Sequence, residues 1–178
     1  DSAEMLLRRA YQRLQRVLNE EWAARADGLP YKTAYEALIM ASIIEKETGV
    51  PHERGEIAGV FVRRLQRGMR LQTDPTVIYG MGEAYRGNIR GRDLRDASNP
   101  YNTYRINGLP PTPIALAGRE AIHAALHPVA GDSLFFVAKG DGSHQFSATL
   151  AEHEAAVKRY QLRRRSDYRS SPVATEKR

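Results

Sequence analysis

The sequence predicts an α+β fold, rich in helix and carrying one small β-hairpin or sheet part. Three features lead to this expectation. Apolar residues recur at helical spacing through most of the chain. A single pair of short β-type runs, SLFFVA (133–138) and HQFSA (144–148), flanks KGDGS (139–143), where Asp141-Gly142 forms the centre of a hairpin turn. Between the helical patterns and this hairpin lies EAYRGNIRGRDLRDASNPYNTYRINGLPPTP (83–113), which follows neither period and reads as a long loop.

Taken in order, residues 3–25 read as an amphipathic helix. Leu6, Ala10, Leu14, Val17, Leu18 and Trp22 share one face, and arginines take the other. Gly28 and Pro30 stop it. Thr33 is expected to cap the next helix, with Glu36 completing a capping box. That helix carries Glu47 in its last turn and ends at Gly49-Val50-Pro51. A helix over 53–66 follows, with Ile57, Val60, Phe61 and Leu65 as its apolar face. Glu53, Arg54 and Glu56 open it, while Arg63, Arg64 and Arg67 close it, the order a helix dipole favours. Asp74-Pro75 suits a turn and then a short helix starting at Pro75. Residues 118–126 read as a short helix, and 149–164 as the last one, with Thr149 and Glu152 as its capping box.

The totals narrow the class. With 178 residues, 42% hydrophobic and 27% charged, the chain suits one globular domain over 1–162 followed by a basic tail over 163–178. It has no cysteine, which excludes disulfides and thiolate-ligated metals. His123, His127, His144 and His153 follow no metal-binding spacing, so no metal or other cofactor is expected. No run of about 18 apolar residues is present to span a bilayer. The chain opens at DSAEMLL, without an initiator Met or a signal peptide, and a fragment that lacks an N-terminal anchor is expected. Of the net charge of +6, the tail supplies +4, from six Lys/Arg against two Asp/Glu. A solvated end is the ordinary reading of such a tail. Nucleic acid or anionic lipid is the alternative, but the tail has one aromatic residue, and the near-neutral remainder argues against a nucleic-acid-binding domain.

One carboxylate stands out. On a helical wheel begun at Met40, Ile43 falls at about −60°, Ile44 at about +40° and Glu47 at about −20°. Glu47 therefore sits within an apolar stripe, whereas Glu45 falls at about +140°, with Leu38 and Ala41. A carboxyl group among apolar side chains resists ionisation, and a raised pKa suits a general acid near neutral pH. The competing reading is a helix-end carboxylate paired with an Arg or Lys. In the 83–113 segment, Tyr85, Tyr101 and Tyr104 alternate with amides, a surface able to stack on sugar rings and bond to hydroxyls. A packed Ω-type loop fits equally well.

Several blocks carry a resemblance: ASIIEKET (41–48), RLQTDPTVIYG (70–80), PYNTY (100–104), GLPPTPI (108–114), ALHP (125–128) and FFVAKGDGSHQFSATLAEH (135–153). Together they resemble the MltG (YceG-like) family of endolytic murein transglycosylases, in the family's order and spacing, over roughly residues 20–160. Thr112 stands where the family more usually has Gly, which bears on the turn geometry there. The resemblance implies a catalytic domain, lysozyme-like around the helix that bears the catalytic glutamate. It implies cleavage of the β-1,4 bond between N-acetylmuramic acid and N-acetylglucosamine, leaving 1,6-anhydromuramic ends. The second Glu of EKE, Glu47, is then the catalytic acid and base, in agreement with the wheel.

For substrate binding the family match points to Asn102 and Tyr104 in PYNTY, and His144 resembles a family position that lines the cleft; Gln72, Thr73, Asp74 and Tyr79 are further candidates by the chemistry of their side chains. Five of these have a plainer alternative. Asp74 suits capping of the Pro75 helix, Gln72 and Thr73 suit backbone bonds, Tyr79 suits core packing, and His144 suits a bonded strand position. The implied partners are glycan strands of peptidoglycan and peptidoglycan synthases. The implied location is the bacterial cytoplasmic membrane, with a single N-terminal anchor and often a LysM-like region before a periplasmic catalytic part. A muramidase that uses water, or a non-catalytic glycan-binding module, are the rival readings.

Overall fold

A computed structural model describes residues 2–163 and 166–167. The tail expected over 163–178 thus lies largely outside the described residues. Helix α1 (Ala3–Ala23) starts at Ser2, whose hydroxyl accepts the Met5 N–H. Only its second half meets the rest of the protein. Leu18 is buried and Leu14, Val17 and Trp22 pack beside it, but Leu6, expected on the buried face, is 55% exposed. Periodicity marks a face that can be buried; it does not supply what covers it.

Helix α2 (Ala34–Glu47) is the centre of the fold. Thr33 caps it by accepting the Glu36 N–H, and the Glu36 carboxylate accepts the Lys32 N–H instead of completing the reciprocal box. Every residue from Ala37 to Ile44 is buried. The wheel expected two unlike faces, yet Leu38 and Ala41, on the Glu45 side, are as enclosed as Met40 and Ile43. The reason is that α6 (Arg119–Leu126), α3 (Arg54–Gln66) and α1 all pack on this helix. Its one buried polar side chain, Ser42, donates to Ile39 O and accepts the Ile114 N–H, which fastens the GLPPTPI segment to the core. Thr112 in that segment does not take the left-handed backbone, so the turn there does not require glycine.

A 3₁₀ turn, Pro51–Glu53, leads into α3. Glu53 and Arg64, expected as charges at the two ends of this helix, are 4% and 6% exposed. Helix α4 (Asp74–Met81) has Pro75 in its first turn, as expected. The 83–113 segment is a long loop interrupted by a 3₁₀ turn that begins at Gly82 and by the short helix α5 (Gly91–Arg95). It is held from within by buried Asn99, Asn102 and Thr103.

Strands β1 (Phe135–Ala138) and β2 (His144–Ser147) form the expected antiparallel hairpin, with Phe135 opposite Ser147 and Ala138 opposite His144. Phe136 turns inward and meets Phe61 of α3 edge-on, with ring centroids 5.6 Å apart. Helix α7 (Leu150–Val157) opens with the full Thr149–Glu152 capping box and runs on as a π-helical turn, Lys158–Leu162. Among the described residues no helix is long and apolar enough to cross a membrane.

Candidate active site

The last residue of α2, Glu47, looks into a cavity of about 480 Å³. Thr48 ends the helix by turning extended, and its hydroxyl accepts the Val50 N–H. The strand-like approach to α4 forms the near wall, with Leu71, Gln72, Thr73 and Asp74. Tyr104 closes that side. The rest of the lining comes from Arg64 of α3, from Phe135, Phe136 and Val137 of β1, and from Leu150, His153 and Val157 of α7.

Thr73 is the fixed point. It is 1% exposed, and its hydroxyl donates to Glu47 Oε1 in a short hydrogen bond. Thr103 Oγ1 accepts the Thr73 N–H at 3.0 Å, and Thr76 Oγ1 donates to Thr73 O at 2.8 Å. Gln72, beside it, has a φ of 52°, which a residue with a Cβ adopts only under local constraint. That constraint is visible: the Gln72 N–H donates to Thr103 O, and its Oε1 accepts from Arg64 Nη1.

Burial lifts the Glu47 pKa from the ordinary carboxyl value of 4.5 to about 7. The Thr73 donor pulls the other way by favouring the ionised form, and the negative charge of Asp74 adds to the upward push. The carboxyl group is therefore divided between its two protonation states near neutral pH, the condition under which one group can first give and later take a proton. Asp74 lies at the mouth. Its Oδ1 accepts the Tyr104 hydroxyl at 2.6 Å, and burial together with the Asp74 charge holds the Tyr104 pKa well above its usual range. Asp74 is the first residue of α4, so its carboxylate both lines the cavity and lies at the positive end of that helix.

The structure thus brings Glu47, Gln72, Thr73, Asp74 and Tyr104 together. Three expected sugar contacts fall elsewhere. Asn102 is 0% exposed; its amide donates to the carbonyls of Asp93, Leu94 and Asp96 and its Oδ1 accepts the Tyr104 N–H. It organises the loop and has no group left for a ligand. Tyr79 is 47% exposed and packs on Tyr101 instead of lining the cavity, because it lies five positions after Asp74 on the helix, a rotation of about 140° that turns it away. His144 lies behind the wall. Its N–H and Nδ1–H donate to Glu53 Oε1 and Oε2 at 2.8 and 2.7 Å, and its ring meets Phe136 edge-on. Glu53 Oε2 also accepts the Thr48 hydroxyl at 3.4 Å, so this buried pair ties the hairpin to the end of α2.

The sequence reading missed Arg64, His153 and the Phe135–Phe136 wall as cavity residues. The long separations, such as 70 residues between Arg64 and its acceptor Leu134 O, leave no local signal. It also missed that Glu21 joins His123 and His127, with one ligand-type atom from each lying within 4.8 Å of the others. These groups already have partners: Glu21 bonds Arg119 and His123, and His127 Nε2 is 2.9 Å from Ala24 O.

A helix-rich α+β fold with a half-enclosed, proton-retaining carboxyl group on an open cavity defines a site for general acid–base chemistry. Comparison with known proteins places the chain more closely. The model of the YceG-like family matches residues 1–159, and the chain belongs to that family. It is 44% identical over 128 residues to the endolytic murein transglycosylase of Bacillus subtilis (strain 168), a match that covers 72% of this chain and 35% of that protein. The endolytic murein transglycosylase of Streptococcus pneumoniae is 33% identical over 129 residues, covering 70% of this chain and 23% of that protein. The crystal structure of a yceG-like protein from Listeria monocytogenes superposes with a TM-score of 0.65 at 46% identity, covering 70% of this chain and 40% of that one. The chain thus spans about a third or less of the curated relatives it matches.

Proposed function

We propose that residues 1–162 form the catalytic part of an endolytic murein transglycosylase, which cleaves the MurNAc-β-1,4-GlcNAc bond within glycan strands of peptidoglycan and leaves 1,6-anhydroMurNAc ends. The observation that carries this reading is Glu47, a cavity carboxyl group with its pKa lifted to about 7 by burial. The names of the Bacillus subtilis and Streptococcus pneumoniae relatives supply the reaction class.

One carboxyl group does two jobs in this mechanism. Because Thr73 donates to Oε1, the acidic proton of neutral Glu47 resides on Oε2. It passes to the glycosidic oxygen as positive charge develops on the muramyl ring. The carboxylate so formed takes the proton from the muramyl 6-hydroxyl, which closes on its own C1. The nucleophile belongs to the substrate, so closure needs no second reactant. Asp74, oriented by Tyr104, steadies the transient positive charge on the sugar. Gln72 at the near wall offers an amide to hydroxyls or acetamides. The site of action in this reading is the periplasmic face of the bacterial cytoplasmic membrane, where an N-terminal anchor and contacts with peptidoglycan synthases bring nascent strands to the cavity.

Mass analysis of uncrosslinked glycan strands treated with this protein and with Glu47→Gln tests the reading. Internal cleavage to anhydro ends, absent with the variant, is expected. Reducing ends would make the protein a muramidase, with water in place of the 6-hydroxyl. Strand binding without cleavage by either protein would make it a glycan-binding module.

A further inference from the structure

Arg64 is a buried cation without a counterion. It is 6% exposed, and it forms no ion pair with a carboxylate among the described residues. Buried guanidinium groups are ordinarily paired, because neutral hydrogen bonds satisfy their N–H groups without cancelling their charge. Here Nε donates to Leu134 O at 2.6 Å, and Nη1 donates to Arg70 O, Leu71 O and Gln72 Oε1 at 2.9, 3.3 and 3.4 Å. All these acceptors are neutral. They hold the guanidinium in place, with its carbon 4.9 Å from the Phe135 ring centroid, and leave Nη2 without a hydrogen bond among the described residues, on a side chain that lines the cavity.

A second group beside it is also unfulfilled. His153 lines the same cavity, and its Nδ1 is buried with no hydrogen-bond partner among the described residues. Burial and, next to it, the Arg64 charge lower the His153 pKa, and both side chains pack on the Phe135 ring, which makes the two neighbours. The cavity lining thus carries both signs of charge: Glu47 and Asp74 repel a negative ligand group, and Arg64, which pairs with no carboxylate among the described residues, attracts one.

We propose that the Arg64–His153 end of the cavity is a carboxylate subsite, which receives the acidic group attached to a muramyl residue of the bound strand. This rests on the glycan-cleaving function proposed above. The backbone of such a strand offers only hydroxyls and acetamides, all neutral. Its anions hang from the muramyl unit, as the carboxylate of the lactyl ether where no peptide is attached, or as carboxylates of a stem peptide. Both present the same chemistry to a guanidinium edge. Bound there, a carboxylate fixes the direction in which the strand crosses Glu47 and excludes polymers of N-acetylglucosamine alone.

The test is calorimetric binding of defined muramyl oligosaccharides to Glu47→Gln, alongside cleavage of the same oligosaccharides by the unaltered protein. Four ligands are compared: lactyl carboxylate free or converted to its methylamide, and stem-peptide carboxylates free or amidated. A loss of about tenfold or more in affinity is expected on amidating one of the two carboxylate sources, and which one shows it identifies the source. Arg64→Gln should abolish the difference while leaving affinity for the amidated form within about twofold. Should that variant not fold, the ligand series alone decides. Equal affinity for free and amidated forms of both pairs overturns the subsite. Discrimination in binding with no cleavage would retain the subsite and overturn the proposed reaction, and cleavage without discrimination would do the reverse.

Discussion

At the scale of single residues, Glu47 sets the pH behaviour. Its carboxyl group titrates at about 7 in the folded protein against 4.5 when exposed, so the folded state holds a proton that the unfolded chain has released. Its contribution is neutral below pH 4.5, becomes destabilising as the pH rises toward 7, and is constant above. Urea unfolding of Glu47→Gln and the parent should show equal stability near pH 4 and a variant more stable by up to about 3 kcal/mol at pH 8. Activity of the parent should fall on an alkaline limb with its midpoint near 7, as the acid form is lost. Glu47→Gln should lower the rate by about 100- to 10,000-fold, since an amide can neither donate nor recover the proton. Two neighbours act on that limb in opposite senses. Thr73→Val removes the donor that favours the carboxylate and should move it up by about one pH unit, while Asp74→Asn removes a repelling charge and should move it down. pH–rate profiles of the two variants measure both shifts, and a common direction would contradict the assigned causes.

Individual elements owe their positions to close contacts that substitution can probe. Gly59 lies in the middle of α3, where alanine favours helix by about 1 kcal/mol. A Cβ there would come 2.5 Å from Val129 O, a main-chain atom that cannot yield cheaply. Gly59→Ala is therefore expected to destabilise by about 1–3 kcal/mol in spite of its propensity, as read by denaturant midpoint. The Glu53–His144 pair joins the turn after α2 to the hairpin, and its loss strands two donors inside the protein. Glu53→Ala should cost about 3–5 kcal/mol. It should also slow cleavage in the molecules that remain folded, because Thr48, which also bonds Glu53, follows Glu47 directly.

In the molecule as a whole, residues 37–44 of α2 are enclosed on every side, whereas the first turns of α1 stand clear of the body. Hydrogen exchange should therefore be slowest over residues 38–44 and fastest, among helices, over residues 3–11. Uniform protection along α1 would mean that something covers its apolar face in solution. The same contrast explains what was legible in the sequence. The starts of the long helices, the hairpin and the Thr149 capping box follow from patterns a few residues long and agree with the structure, whereas α5 and the π turn after Val157 do not follow from such patterns. The central place of α2 was not legible, since Leu38 and Ala41 look like a weak second face until three helices converge on them. Nor was the division of labour in PYNTY, where adjacent polar residues part ways. Asn102 turns inward to hold carbonyls, and Tyr104 turns to the cavity.

The sequence by itself determined the α+β class, the family and which of Glu45 and Glu47 shares the apolar stripe of α2, because each depends on local spacing or on motifs read in order. The tertiary structure alone decided what surrounds Glu47. Thr73 is 26 positions away, and Arg64 is fixed by a carbonyl 70 positions away. A carboxyl group's pKa and a guanidinium's missing counterion depend on which distant side chains are folded against them, and no one-dimensional pattern records that.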